Sequence, residues 1–346
     1  MIKAAVIGST GYAGQEIVKL LLRHPGAELI WYGSKSYKGE KYSEIYANMN
    51  GLTDAYCSGD QLAEVADQAD VIFTATPQGY CASLMNEDIL TKTRIIDLSA
   101  DFRIKDVAVY EKWYGIEHKS PQFIPEAVYG LCELARDNIK KARLVANPGC
   151  YTTCSILTLY PLAAEGLIDT GSIIIDAKSG TSGAGRSAKT ANLFCEVNEN
   201  IKAYGVGTHR HTPEIEEQLG YACGHDVTLT FTPHLVPMNR GILATTYSQL
   251  VPGVTGAEVR AAYDKYYGEE YFIRLLPDGT FPETRWVEGS NFTDIGFRVD
   301  ERTGLIVAIG AIDNLVKGAA GQAVQNMNIM FGLPETEGID QVPMFP

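Results

Sequence analysis

The chain reads as an α/β protein in two parts, a doubly wound parallel sheet followed by an α+β part with a mixed sheet. Three observations carry this reading. Short apolar runs alternate with helical spacing up to about residue 147. Longer strand-like runs follow, several of them polar on alternate residues, as in a sheet with one solvated face. The length of 346 residues exceeds the roughly 250–300 at which single cores stop growing.

In order, residues 4–7 are an apolar run that stops at Gly8, a buried first strand. Ile17, Leu20 and Leu21 fall on one helical face, and His24-Pro25-Gly26 ends that helix. Strands are expected at 27–32, 71–75 and 95–98, with a helix between the last two, and a final strand of this part at 144–146. After Cys150 a helix is expected over 155–164. Strands follow at 172–177, 227–232, 241–250, 294–299 and 305–312, and the spacing over 314–330 predicts a last, amphipathic helix. No repeat or low-complexity linker separates the parts.

A formal charge of −13 argues against nucleic acid or an anionic membrane as partner, while leaving room for a small anionic substrate at a locally basic site. No apolar run spans a bilayer, and the first residues lead straight into a strand, so no leader is expected. Seven cysteines scattered over a chain this long do not make a disulfide framework. The expectation is a cytoplasmic protein with reduced thiols. No cysteine or histidine spacing suggests zinc, and His209 and His211 have no nearby carboxylate or thiol to complete a site, so no metal is expected.

Five segments carry chemistry. Gly8-Ser9-Thr10-Gly11-Tyr12-Ala13-Gly14 lies between the first strand and the first helix, the context in which a glycine turn lets backbone and helix N-terminus meet a dinucleotide pyrophosphate. The spacing is GxxGxxG rather than GxGxxG, and in isolation it also fits a plain strand–helix turn. The second strand ends Tyr32-Gly33-Ser34-Lys35-Ser36, with two hydroxyls and a lysine where NAD sites place an acid, which favours NADP. Asn147-Pro148-Gly149-Cys150 puts a cysteine at a strand end leading into a helix, whose dipole favours thiolate. His211 precedes Thr212-Pro213-Glu214, read as a helix start with Thr212 as cap, and so sits where it can serve a nearby thiolate as proton donor. Finally, Lys178-Ser179-Gly180-Thr181-Ser182-Gly183-Ala184-Gly185-Arg186 is a basic, glycine- and hydroxyl-rich stretch in an acidic chain, suited to a phosphate or carboxylate.

Taken in order, GSTGYAG at 8–14, DLSADFR at 97–103, NPGCY at 147–151, DAKSGTSGAGR at 176–186, HRHTPEI at 209–215, TPHLVPMNRGIL at 232–243 and DNLVKGAAGQA at 313–323 resemble the type 1 N-acetyl-γ-glutamyl-phosphate reductases of arginine biosynthesis. The resemblance covers nearly the whole chain. It implies a Rossmann-type NADP domain over 1–147 and 314–346, with the C-terminal helix returning to it, and a catalytic and oligomerisation domain over 148–313. It implies Cys150 as nucleophile and His211 as acid/base. NADPH would lie on Gly8 to Gly14, on Ser34, Lys35 and Ser36, and near Pro77, Ser182, Gly183 and Asn314. Substrate contacts would come from Arg103, Asn147, Ser179, Gly180, Arg186 and His209. Lys35 stands where the family more usually has arginine, so which residues hold the 2′-phosphate stays open. A homo-oligomer, dimer or tetramer, is implied. Aspartate-semialdehyde dehydrogenases share single motifs, whereas the aminoadipyl-phosphate reductase of lysine biosynthesis is a closer rival that the motifs hardly separate. An NADP-sensing regulator without chemistry would need neither Cys150 nor His211.

Overall fold

A computed structural model describes residues 1–345. The chain divides into two compact units, one formed by 1–149 with Ala319–Asp340, the other by Cys150–Gly318 with the residues from Gln341. These bounds differ from those expected. Residues 314–318 stay with the second unit because Asp313 holds them: its carboxylate accepts from the Leu315 and Val316 amides, and its carbonyl from Gly318. The residues from 341 join it because the Met344 amide donates to the Glu288 carbonyl.

The first unit holds β1 (Ile2–Ile7), β2 (Ala27–Gly33), β3 (Val71–Thr74), β4 (Arg94–Asp97), β5 (Val128–Tyr129) and β6 (Leu144–Ala146) in one sheet of order β2-β1-β3-β4-β6-β5, parallel throughout. The central strands are buried end to end, which is why they read as unbroken apolar runs. Helix α1 (Tyr12–Leu21) follows β1. β1 lies between β2 and β3, so the turn after it opens where the strand order reverses, the place where such sheets hold ligands. Two-residue β5 was too short to show a period.

The second unit holds a seven-stranded mixed sheet, ordered β11-β12-β13-β10-β7-β9-β8: β7 (Ile174–Ser179), β8 (Lys202–Ala203), β9 (Thr230–Leu235), β10 (Ile242–Gln249), β11 (Ile273–Leu275), β12 (Thr293–Asp300) and β13 (Leu305–Ile312). β7 and β9 lie two and three residues later than expected, and β9 runs through Pro233. Helix α2 (Cys150–Ala164) packs on one face, where a side chain at Gly310 would meet Thr158 and Cys154. Helices α3 (Thr212–Cys223) and α4 (Gly256–Tyr267) pack against α2.

Pro161 stands inside α2 and cannot donate to the Leu157 carbonyl. Two buried tyrosines of α4 repair the break: Tyr267 donates to Leu157 O at 2.8 Å and Tyr263 to Thr158 O at 2.7 Å.

The helix expected over 314–330 is corrected in two ways. A π-turn, Val316–Ala320, comes first and the α-helix, α5, is Gly321–Phe331. It is not amphipathic, since all ten residues from Gly321 to Met330 are buried in the first unit. The polar residues that imitated a wet face are amides with internal partners. Gln322 and Asn326 donate to Gly130 O, Gln325 to Glu133 and Glu335, and Asn328 to the Glu335 and Glu337 carbonyls. Burying amides is tolerated when each donor is satisfied.

Candidate active site

In the first unit the glycine turn is built by close approach. A side chain on Gly8, at φ +79°, would come within 2.3 Å of Ala75 O, and one on Gly14 within 2.2 Å of Gly8 O. Gly11 is less constrained and precedes α1 in an extended conformation. The turn is braced from outside: Tyr42 donates to Ser9 O and Tyr46 to Thr10 O, and the Thr10 and Ser34 hydroxyls share a 2.8 Å hydrogen bond. Such a cradle fits a pyrophosphate on the N-terminus of α1. Ser34 is buried and tied to the turn, while Lys35 and Ser36 are exposed. A cleft of about 570 Å³ opens beside them, lined by Ser34, Lys35, Lys38, Asp60 and Tyr80 among others. Pro77 lies on the exposed loop after β3, its carbonyl accepting from Tyr80 N. Arg103 is buried and donates to Leu98 O. Asn147 is buried, its amide donating to Ala319 O and accepting from Asn326.

In the second unit Cys150 is the first residue of α2 and is partly exposed, whereas Cys154, one turn on, is fully buried. Burial pushes the Cys154 thiol up to about 12, leaving it an inert core residue. The helix dipole acts on Cys150 instead. Space behind it is made by Gly318, where a side chain would sit 2.8 Å from Cys150 Cβ. Gly318 belongs to the π-turn and its amide reaches back five residues to Asp313 O.

His211 lies at the start of α3, the element beside α2. The helix begins one residue earlier than expected: His211 is the N-cap, in helical conformation, and Thr212 the first helical residue, so Thr212 does not cap. Two links join this start to the start of α2. Thr152 donates to the buried Glu214 carboxylate at 2.8 Å, and the Tyr151 ring packs edge-on against His211 with centroids 6.0 Å apart. Tyr151 also meets His209 and Phe231, and its hydroxyl reaches His234 O and accepts from Tyr204. His209 Nδ1 accepts from the His211 amide at 3.1 Å, which puts its proton on Nε2. Burial, with Arg210 alongside, drops the His209 imidazole to about 4, so it is neutral at working pH.

The basic stretch is seated on residues 238–241. Gly180 N donates to Gly241 O, Thr181 N to Met238 O and Ser182 N to Asn239 O. A side chain on Gly180 would strike Asn239 O at 2.6 Å. Asn314 ties the stretch down, donating to Ser182 Oγ at 2.9 Å and accepting from Gly241 N at 2.7 Å. Ser179 is buried beneath Gly183, whereas Gly183 and Arg186 are exposed. Lys178 pairs with Asp176 at 2.9 Å.

The second unit thus gathers Cys150, His209 and His211, and separately Ser179, Gly180, Ser182, Gly183 and Asn314. Tyr151, Glu214, Gly318 and Asp60 were not singled out from the sequence. Tyr151 had a signal in its place beside Cys150. The Thr152–Glu214 bond joins residues 62 apart and had none.

Two family models cover most of the chain: the NAD binding domain of semialdehyde dehydrogenases matches residues 3–142, and their dimerisation domain residues 150–314. An N-acetyl-gamma-glutamyl-phosphate reductase of Lachnospira eligens is 67% identical over 348 residues, covering 100% of both chains. The chain belongs to the N-acetyl-γ-glutamyl-phosphate reductase family. A member of the same name from Campylobacter jejuni is 56% identical over 98% of each chain. The fold is also that of aspartate semialdehyde dehydrogenase II from Vibrio cholerae, at a TM-score of 0.72 and 17% identity over 96% of this chain and 99% of that one. As a member of this family the chain is an oxidoreductase with an α/β nicotinamide-dinucleotide domain. No helix among the described residues is long and apolar enough to cross a membrane.

Proposed function

We propose that this chain reduces N-acetyl-γ-glutamyl phosphate to N-acetylglutamate 5-semialdehyde and phosphate with NADPH, through a thioester on Cys150. The observation that carries this reading is that Cys150 and His211 stand at the starts of two packed helices, which Thr152–Glu214 and Tyr151–His211 fasten together.

The Cys150 thiolate, favoured by the α2 dipole, attacks the acyl carbon, and the C–O bond to phosphate breaks. NADPH, when bound, supplies the hydride that reduces the acyl carbon. His211 protonates the developing oxyanion and takes the proton back as the C–S bond breaks, so the semialdehyde leaves and Cys150 returns as thiolate. Arg186, exposed at the end of the stretch, offers the substrate's anionic groups a landing place, while His209, held neutral, packs the aromatic wall around His211. Gly8 to Gly14 hold the cofactor's pyrophosphate.

We place the protein in the cytoplasm as a homo-oligomer, a dimer or tetramer. Two features support the oligomer: the match to a dimerisation domain, and the half-buried Leu243, Tyr247, Val307 and Ile309 on the sheet face away from α2. The deciding assay follows phosphate-dependent NADP⁺ reduction with N-acetylglutamate semialdehyde, beside aspartate and aminoadipate semialdehydes. The first should dominate; preference for either of the others overturns the substrate assignment.

A further inference from the structure

The end of β2 carries no acid in sequence, yet the fold brings one there. Residues 57–60 run alongside β2. Ser58 N donates to Tyr32 O and Ser34 N to Ser58 O, both at 2.9 Å, and the Trp31 indole donates to Gly59 O. This fastening delivers Asp60 to the tip of the strand, its Oδ1 being 3.2 Å from where a Gly33 side chain would begin. That oxygen is buried and has no hydrogen-bond partner among the described residues. Asp60 lines the same cleft as Ser34, Lys35 and Lys38.

We infer that Asp60 is a cofactor-selecting residue: its carboxylate accepts a ribose hydroxyl, so that the site takes NADH beside NADPH and holds its preference for NADPH below what Lys35 and Lys38 alone would give. This rests on the nicotinamide-cofactor reading above. An acid at the tip of β2 is the group that receives the 2′-hydroxyl of NAD in such folds, while a 2′-phosphate wants cations and hydroxyls. Here both kinds of group face one cleft. Burial raises the Asp60 carboxyl and Lys35 draws it back, as expected of an acid short of partners but within reach of one cation.

The test is equilibrium binding of NADPH and NADH to the whole protein, followed by dihydronicotinamide fluorescence at fixed pH and salt. Asp60→Asn keeps the shape and removes the charge. NADPH should bind roughly tenfold tighter to this variant and NADH roughly tenfold weaker, the scale of one charge-assisted hydrogen bond gained or lost. Lys35→Ala should move NADPH alone, in the weaker direction. Equal shifts for both cofactors in Asp60→Asn, or no shift, with wild-type NADPH binding intact, overturn the inference and leave the cofactor reading standing. A wild type that binds neither cofactor overturns both. Thermal unfolding of each variant checks that the fold is retained.

Discussion

The proposed nucleophile, Cys150, has three features around it. α2 gives it a dipole, Gly318 gives it space, and Tyr151, next in the chain, packs against His211, its proposed proton partner. Gly318→Ala would put a methyl 2.8 Å from Cys150 Cβ, too close to stand, so one of the two must move. A displacement of about 1 Å at a reacting centre costs about 10²-fold in rate. Reductase assays should show that loss in kcat, with NADPH affinity unchanged. His209 makes a different prediction. Its folded form resists protonation down to about 4, while the unfolded imidazole titrates near 6.5. The unfolded chain therefore binds the extra proton between those values, and this part of the stability, complete above pH 6.5, is lost as pH falls toward 4. In urea titrations across that range, the stability difference between wild type and His209→Gln should shrink as pH falls. A constant difference would count against a neutral, buried His209.

Elements were legible where one period ran undisturbed. β13, expected over 305–312, and β6, over 144–146, appear at those bounds. What failed depended on partners distant in sequence. The amides of α5 looked like a solvated stripe because nothing local reveals that Gly130, Glu133 and Glu335 will meet them. The start of α3 slipped by one because Thr212 and Pro213 fit a cap-and-first-turn pattern, whereas the structure sets the cap one position earlier, at His211. α2 was expected from 155, five residues late, since polar Tyr151 to Ser155 hide its first turn. Its interior break at Pro161 depends on α4. Tyr263→Phe leaves the buried Thr158 carbonyl without that donor and should cost about 1–3 kcal/mol in denaturant unfolding. A smaller loss would mean that water takes the tyrosine's place.

For the molecule as a whole, the two sheet types followed from the change in texture near residue 150, and the candidate site followed from motifs: Cys150, His211 and the glycine turn. Asp60 stayed hidden because it approaches β2 from 27 residues downstream of Gly33. The sheet face carrying Leu243, Tyr247, Val307 and Ile309 carries the whole-molecule prediction. Ile309→Asp should shift the protein to a smaller species in sedimentation velocity while leaving helix content intact, because a charge on a closed apolar interface is left unpaired. An unchanged sedimentation coefficient would place the interface elsewhere. The central claim is the covalent step at Cys150, and a single-turnover experiment reaches it most directly. With N-acetyl-γ-glutamyl phosphate and no NADPH, the account predicts a burst of about one phosphate per chain and an acyl adduct on the peptide bearing Cys150, both absent in Cys150→Ala. No burst, or an adduct on another residue, would contradict it.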